Sequence, residues 1–202
     1  MVKYLNGEAS FMFKSNTERW LDLGCGRKKI KGAIGIDFIP LNCVDIVWDL
    51  NVTPYPLETS SFDHIVMNHF LQHCSNVIEV MKEVHRISKS NGIIEICVPH
   101  FASDNFNTDI THKTHFGIRS MDYFANNLGF EWNFYTDFKF KIISKKISFR
   151  QNKTDYRTKI KFNPFRIIGL EYMINLFPRI YERFFVYIMP PSEVYYKLKV
   201  IK

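Results

Sequence analysis

The sequence predicts an α/β protein with a Rossmann-like doubly wound sheet, mostly parallel, carrying an antiparallel C-terminal hairpin and followed by a helical basic and aromatic tail. Three observations carry this expectation. Short apolar runs bounded by Gly, Pro, Asn or Asp recur along the first hundred residues, one clearly amphipathic stretch separates two of them, and the composition changes near residue 150. A chain of 202 residues has room for one sizeable core with appendages rather than two full domains. Residues 1–150 are therefore expected to form the main domain. Residues 151–202 are expected to form a helical extension packed on it, or to meet a partner.

Five runs read as strands: Arg19 to Leu23, Ala33 to Asp37, Val44 to Trp48, Phe62 to Met67 and Gly92 to Val98. Between the last two, Val77, Val80, Met81, Val84 and Ile87 recur at helical spacing, after the cap candidates Ser75 and Asn76 and before the stop at Asn91 and Gly92. A second helix is expected from Met121 to Leu128, ended by Gly129. Two further runs, 131–138 and 140–149, lie close enough to pair as an antiparallel hairpin at one sheet edge.

Composition narrows the class. Hydrophobic residues make up 46% and charged residues 23%, and no apolar run is long enough to span a bilayer. No secretory leader opens the chain, so a cytoplasmic protein is expected. Cys25, Cys43, Cys74 and Cys97 are scattered without a CxxC pair, which argues against a zinc ribbon or a disulfide scaffold. The net charge of +7 is uneven: residues 1–137 hold 12 basic against 16 acidic side chains, and residues 138–202 hold 15 against 4. The segments thus carry −4 and +11, and a nucleic-acid function inferred from the global charge would misplace the signal.

The chemistry sits at the ends of the first strands. Leu21-Asp-Leu-Gly-Cys-Gly26 closes the first strand, and its glycines allow a tight turn with main-chain N–H groups open to a ligand. Asp37 ends the second strand, where a carboxylate can take the two hydroxyls of a ribose. A dinucleotide fingerprint would need a third glycine at the position of Lys29, and only ten residues separate the two strands, so the first helix must be truncated. The ligand expected is an adenosine cofactor other than a nicotinamide dinucleotide.

On these residues, together with Gly35 to Asp37, Trp48 to Leu50, Ser61 to Val66, Glu83 to Ile87 and Gly92 to Pro99, the chain resembles the class I S-adenosylmethionine-dependent methyltransferases, in the small-molecule branch with a shortened first helix. The resemblance covers roughly residues 19 to 150 in the expected order. It implies that S-adenosyl-L-methionine is the cofactor and that Asp22, Gly24, Cys25 and Gly26 surround its methionine and ribose. Asp37 would take the ribose hydroxyls, Phe38, Asp49 and Leu50 would meet adenine, and Asn68 and His69 would approach the methionine part. Gln72-His73 stands where the family often has Glu-His, and Asn91-Gly92 where it has Gly-Gly.

All seven histidines fall between positions 64 and 115. His64 and His85 sit within a strand and the helix and are read as packing. His69, His73, His112 and His115 formally offer four ligands, but methyl transfer needs no metal and none is expected. A hydroxyl acceptor does need a base, and His112, then His100, then His115 are the candidates, because they follow the fifth strand at the rim where such sheets bind ligands.

The predicted function is methyl transfer, O-methylation foremost, to a small-molecule or glycan- or lipid-linked acceptor. The alternatives are an inactive cofactor-binding partner subunit and a nucleic-acid-binding methyltransferase using the basic tail. Nucleic acid is disfavoured, because Asn68-His-Phe-Leu71 replaces the Asn/Asp-Pro-Pro-Tyr type of motif. The apolar positions from Ile167 to Ile188 fit a pair of helices packed on the domain or in a homodimer; peripheral contact with an anionic membrane is the competing role.

Overall fold

The computed structural model describes residues 3–4, 18–125, 133–149 and 169–202. Its centre is an eight-stranded sheet of β1 (Lys3–Tyr4), β2 (Trp20–Leu23), β3 (Ile34–Asp37), β4 (Ile46–Val47), β5 (Phe62–Asn68), β6 (Ser88–Pro99), β7 (Lys139–Ser148) and β8 (Glu193–Ile201). The order across the sheet is β1-β4-β3-β2-β5-β6-β8-β7. The pairs β2/β3, β3/β4, β2/β5 and β5/β6 are parallel, whereas β8 runs antiparallel to both β6 and β7. The α-helices among the described residues are α1 (Val77–Ile87), α2 (Asp104–Thr108), α3 (Leu170–Leu176) and α4 (Pro178–Phe184).

Side chains alternate across the strands. Ile34, Leu21, Ile65, Ile94 and Leu198 stand level on neighbouring strands. They join Val80, Met81, Val84 and Ile87 of α1 in one buried cluster, so the helical spacing read from the sequence is the face that packs on the sheet. Asn76 caps α1, its side chain accepting from the N–H groups of Ile78 and Glu79 at 3.1 and 3.3 Å. Asn76→Ala is expected to cost about 1 kcal/mol of stability, read by chemical denaturation. An unchanged midpoint would mean that water replaces the cap.

The crossover between β2 and β3 holds turns and no helix, as its length requires. Lys28 N–H donates to the Cys25 carbonyl at 3.2 Å and Ala33 N–H to the Ile30 carbonyl at 3.1 Å. Asp22 accepts from Ile30 N–H at 2.8 Å, and Lys29 pairs with Asp45 at 2.7 Å, bracing the link against the next strand.

Three expectations are corrected. The helix expected over 121–128 is a 3₁₀ turn, Ser120–Phe124, closed by Ala125 N–H on the Asp122 carbonyl; residues 126–132 lie outside the described ones. The hairpin of 131–138 with 140–149 does not form, for Asn133–Tyr135 is another 3₁₀ turn. The partner of β7 is β8, in which Val194, Tyr196, Leu198 and Val200 are buried and alternate with more exposed residues. The last residues of the tail thereby sit inside the sheet, between β6 and β7, and only part of the segment after residue 150 is helical. Of the tail residues read as helical, Ile167 and Ile168 lie outside the described ones.

Candidate active site

β2 lies between β3 and β5, and the chain leaves it for β3 on one side while β5 follows on the other, so a crevice opens beyond the carboxyl ends of β2 and β5. The glycine turn sits there. Gly24 and Gly26 have φ of 70° and 51°, values that favour glycine. A Cβ on Gly24 would stand 2.7 Å from the Phe70 ring, whereas nothing lies within 4 Å of one on Gly26. The turn is therefore packed on one side and open on the other.

Asp37 ties the turn to the tip of β3. One carboxylate oxygen accepts from Gly26 N–H at 2.9 Å and the other from Ile39 N–H at 3.0 Å, and each keeps acceptor capacity. Phe38 beside it is an apolar ring 68% exposed. Asp49 is exposed and holds Asn51 through its N–H at 2.9 Å and its side-chain amide at 3.1 Å. Leu50 is buried, its carbonyl taken by the Tyr55 hydroxyl.

Asp22 and Cys25 lie below this surface. Burial pushes the Asp22 carboxyl above its usual range, while its bond from Ile30 N–H and the Lys29 charge oppose the shift. Burial likewise pushes the Cys25 thiol up to about 12, so it stays neutral near neutral pH. Both shape the loop from underneath.

Asn68, exposed, ends β5, and His69 follows it with a φ of 51°, rare outside glycine. His69 N–H donates to the Cys97 carbonyl at 2.8 Å, and its Nε2 lies 3.0 Å from Oε1 of Glu193. Glu193 is 2% exposed and accepts on its other oxygen from the Tyr195 hydroxyl. A buried carboxylate bound to Nε2 makes that nitrogen the donor and leaves Nδ1, which has no partner among the described residues, as the acceptor.

The three histidines expected to act as bases are placed differently from one another. His100 is fully buried, with Nε2 3.0 Å from Glu182 and Nδ1 accepting from Ala102 N–H at 3.2 Å, so it faces protein on both nitrogens. His112 bonds through Nδ1 to the Phe106 carbonyl at 2.9 Å and presents its ring to His73 at 4.7 Å. His115 is exposed and lies on Phe106, centroids 4.0 Å apart. His73, His112 and His115 thus gather around Phe106, and Lys113 and Thr114 donate to the Gln72 carbonyl. Burial, followed by the nearby His112, pushes His73 below the usual histidine range. The Gln72 side-chain oxygen is buried without a partner among the described residues.

Two groups bring metal-type atoms within 4.8 Å of one another, His69 with Cys97 and Glu193, and His73 with Asp109 and His112. In the first, burial raises the Cys97 thiol, and His69 and Glu193 already bond each other. This is a hydrogen-bonded cluster with a neutral thiol rather than the thiolate that zinc takes.

Sequence reasoning missed Glu193 and Tyr195, which reach the site because β8 lies beside β6. The signal was present as the period-two alternation of residues 193–201.

With the geometry established, comparison with known proteins gives a consistent answer. A family model described as a methyltransferase domain matches residues 45–96, the stretch that runs from β4 to β6. No curated protein matches the sequence. Among solved structures, a SAM-dependent methyltransferase from Archaeoglobus fulgidus is similar at 19% identity and a TM-score of 0.57, over 91% of this chain and 86% of that one. Phosphoethanolamine N-methyltransferase 1 of Haemonchus contortus, solved with phosphoethanolamine and S-adenosylhomocysteine, shares 12% identity at a TM-score of 0.55, over 91% of this chain and 39% of that one. The [4+2]-cyclase SpnF shares 14% identity at a TM-score of 0.53, over 91% and 75%. At these identities the structures share a fold, and the matched domain model covers residues 45–96 of the chain. The matched stretch and the architecture, with an open glycine turn and an acidic strand tip at the switch point of the sheet, are similar to those of S-adenosylmethionine-dependent methyltransferases.

Proposed function

We propose that this methyltransferase methylates a hydroxyl of a small-molecule or of a glycan- or lipid-linked acceptor, held at the rim beyond β5 and β6. The observation that carries the reading is the pair of His69 and buried Glu193, 3.0 Å apart, directly after the strand that ends beside the glycine turn. A fold alone does not select a reaction, and the cyclase of the same fold is an instance.

S-adenosylmethionine, when bound, would supply a methyl group on a cationic sulfonium. The open side of Gly26 would face it, with Asp37 taking the ribose hydroxyls, Phe38, Asp49 and Leu50 on the adenine side, and Asn68 toward the methionine part. Gly24, Asp22 and Cys25 would hold the turn in shape from below.

His69 then works on the acceptor. Its Nδ1 takes the hydroxyl proton as the oxygen becomes the nucleophile, while Nε2–H stays on Glu193. The buried carboxylate fixes the tautomer and stabilises the imidazolium that forms. His112 and His115 belong to the rim loop, His112 as a positioning residue through Phe106 and His115 as the exposed alternative base.

The C-terminal helices favour an acceptor anchored in a membrane. Ile174 and Tyr181 are buried, whereas Phe177, Ile180, Phe184, Tyr187 and Ile188 are exposed, next to a strongly basic segment. No helix among the described residues is long and apolar enough to cross a membrane. Cosedimentation with anionic but not neutral vesicles is the expected result. A homodimer held by residues 170–188, with no vesicle binding at low salt, would replace this role.

The test of the proposed reaction is transfer of a deuterated methyl group from S-adenosylmethionine into polar and lipid extracts, followed by mass spectrometry. A labelled methyl ether is expected. A labelled amine, or label in nucleic acid alone, would overturn it.

A further inference from the structure

Beside Glu182, which bonds His100, is a cavity of about 610 Å³ lined by Phe101, Arg119, Arg179, Ile180, Glu182, Arg183 and Phe184. We infer that it binds a phosphate group carried on an apolar or aromatic body. The inference deepens the proposed function, since it assigns a class to the acceptor, and it rests on that reading only for the link to methyl transfer.

Charge is the first argument. Three guanidinium side chains line the cavity against one carboxylate. Oε1 of that carboxylate is turned to protein, taking the His100 imidazole at 3.0 Å and Ile118 N–H at 2.6 Å. Arg119 is steadied by Asp122 at 3.4 Å, which also takes Lys145 at 2.6 Å. Arg179 and Arg183 form no ion pair with any described residue, and Arg183 lies over the Phe184 ring at 5.5 Å.

Arg179 and Arg183 stand one turn apart on α4 and so face the same way. Like charges at that spacing destabilise a helix unless something offsets them. An anion between them would do so, and guanidinium groups match phosphate oxygens in pairs of parallel hydrogen bonds.

Shape is the second argument. The cavity is far larger than a phosphate, and Phe101, Ile180 and Phe184 give it apolar and aromatic walls, so the ligand has a body as well as a charge. Position is the third. Phe101 follows His100 directly after the end of β6, and the His100–Glu182 bond ties α4 to that rim, so the cavity stands at the carboxyl end of the sheet where the acceptor is proposed to lie.

Phenyl phosphate is the probe, with benzyl alcohol as its uncharged counterpart, both titrated calorimetrically into the full chain. Binding of the phosphate but not the alcohol is expected, weakening with salt. Arg179→Ala and Arg183→Ala should each lower the affinity about tenfold or more. Both residues are exposed and outside the cofactor site, so S-adenosylhomocysteine binding should be unchanged in either variant. Phosphatidylglycerol vesicles that displace phenyl phosphate would assign the phosphate to a lipid, and vesicles that do not would assign it to a soluble acceptor. No phenyl phosphate binding by the wild type, or equal binding by the variants, would overturn the site. Failure of S-adenosylhomocysteine to bind the wild type would instead overturn the methyltransferase reading, with the anion result standing on its own.

Discussion

His69→Ala is expected to lower turnover on a hydroxyl acceptor by about 10² to 10⁴, which corresponds to roughly 3 to 5 kcal/mol of barrier. The side chain stands at the rim with Nδ1 unpartnered among the described residues, and its Nε2 is held 3.0 Å from a carboxylate that is 2% exposed. Its backbone φ of 51° is a conformation that costs energy outside glycine and tends to persist where a function needs it. If His69 acts on the acceptor, kcat falls while the affinity for S-adenosylhomocysteine holds. If it only touches the methionine part of the cofactor, that affinity falls instead.

Two companion variants separate action from position. Glu193→Gln keeps the size of the side chain but removes the charge that steadies the imidazolium, so kcat should fall with little change in KM. His112→Ala should raise KM more than it lowers kcat, since that ring bonds the Phe106 carbonyl and orders the loop. Near-normal turnover in His69→Ala together with loss in His112→Ala would move the base to His112.

Asp37→Ala is expected to weaken S-adenosylhomocysteine about ten- to hundredfold, because a charge-assisted contact to two hydroxyls is worth roughly 1.5 to 3 kcal/mol. Asp37 also holds the N–H groups of Gly26 and Ile39, so alanine relaxes the turn as well as removing the ligand contact. Asp37→Asn distinguishes the two. It keeps one acceptor for the turn and should lose affinity while the thermal midpoint stays close to the wild type. Calorimetry showing unchanged affinity in both variants would take Asp37 out of the site.

The parallel half of the fold was legible because each strand there is a compact apolar run and α1 has one unbroken buried face. The glycine turn and Asp37 were legible for a related reason: strand, turn and carboxylate are close in sequence, so local rules place them together. The antiparallel edge was not. Residues 131–138 look strand-like on composition, yet 133–135 form a 3₁₀ turn, and the true neighbour of β7 begins 45 residues after β7 ends. That pairing is decided by which strand can fill the place between β6 and β7, a tertiary choice that propensity does not encode.

The same distance hid the site's second half. His69 was visible at the end of its strand, but Glu193 and Tyr195 arrive from 124 and 126 positions away through β8. His100 was misleading for the opposite reason. Its place after β6 is that of a rim residue, but α4 covers it and Glu182 occupies its Nε2.

The central claim is a class I site that selects S-adenosylmethionine and carries its adenosine at Asp37. Native mass spectrometry of the full chain, mixed with equal amounts of S-adenosylhomocysteine and NAD, tests it most directly. One S-adenosylhomocysteine per chain in the wild type, strongly reduced in Asp37→Ala, is the predicted result. An NAD complex, or S-adenosylhomocysteine retained in full by Asp37→Ala, would contradict it.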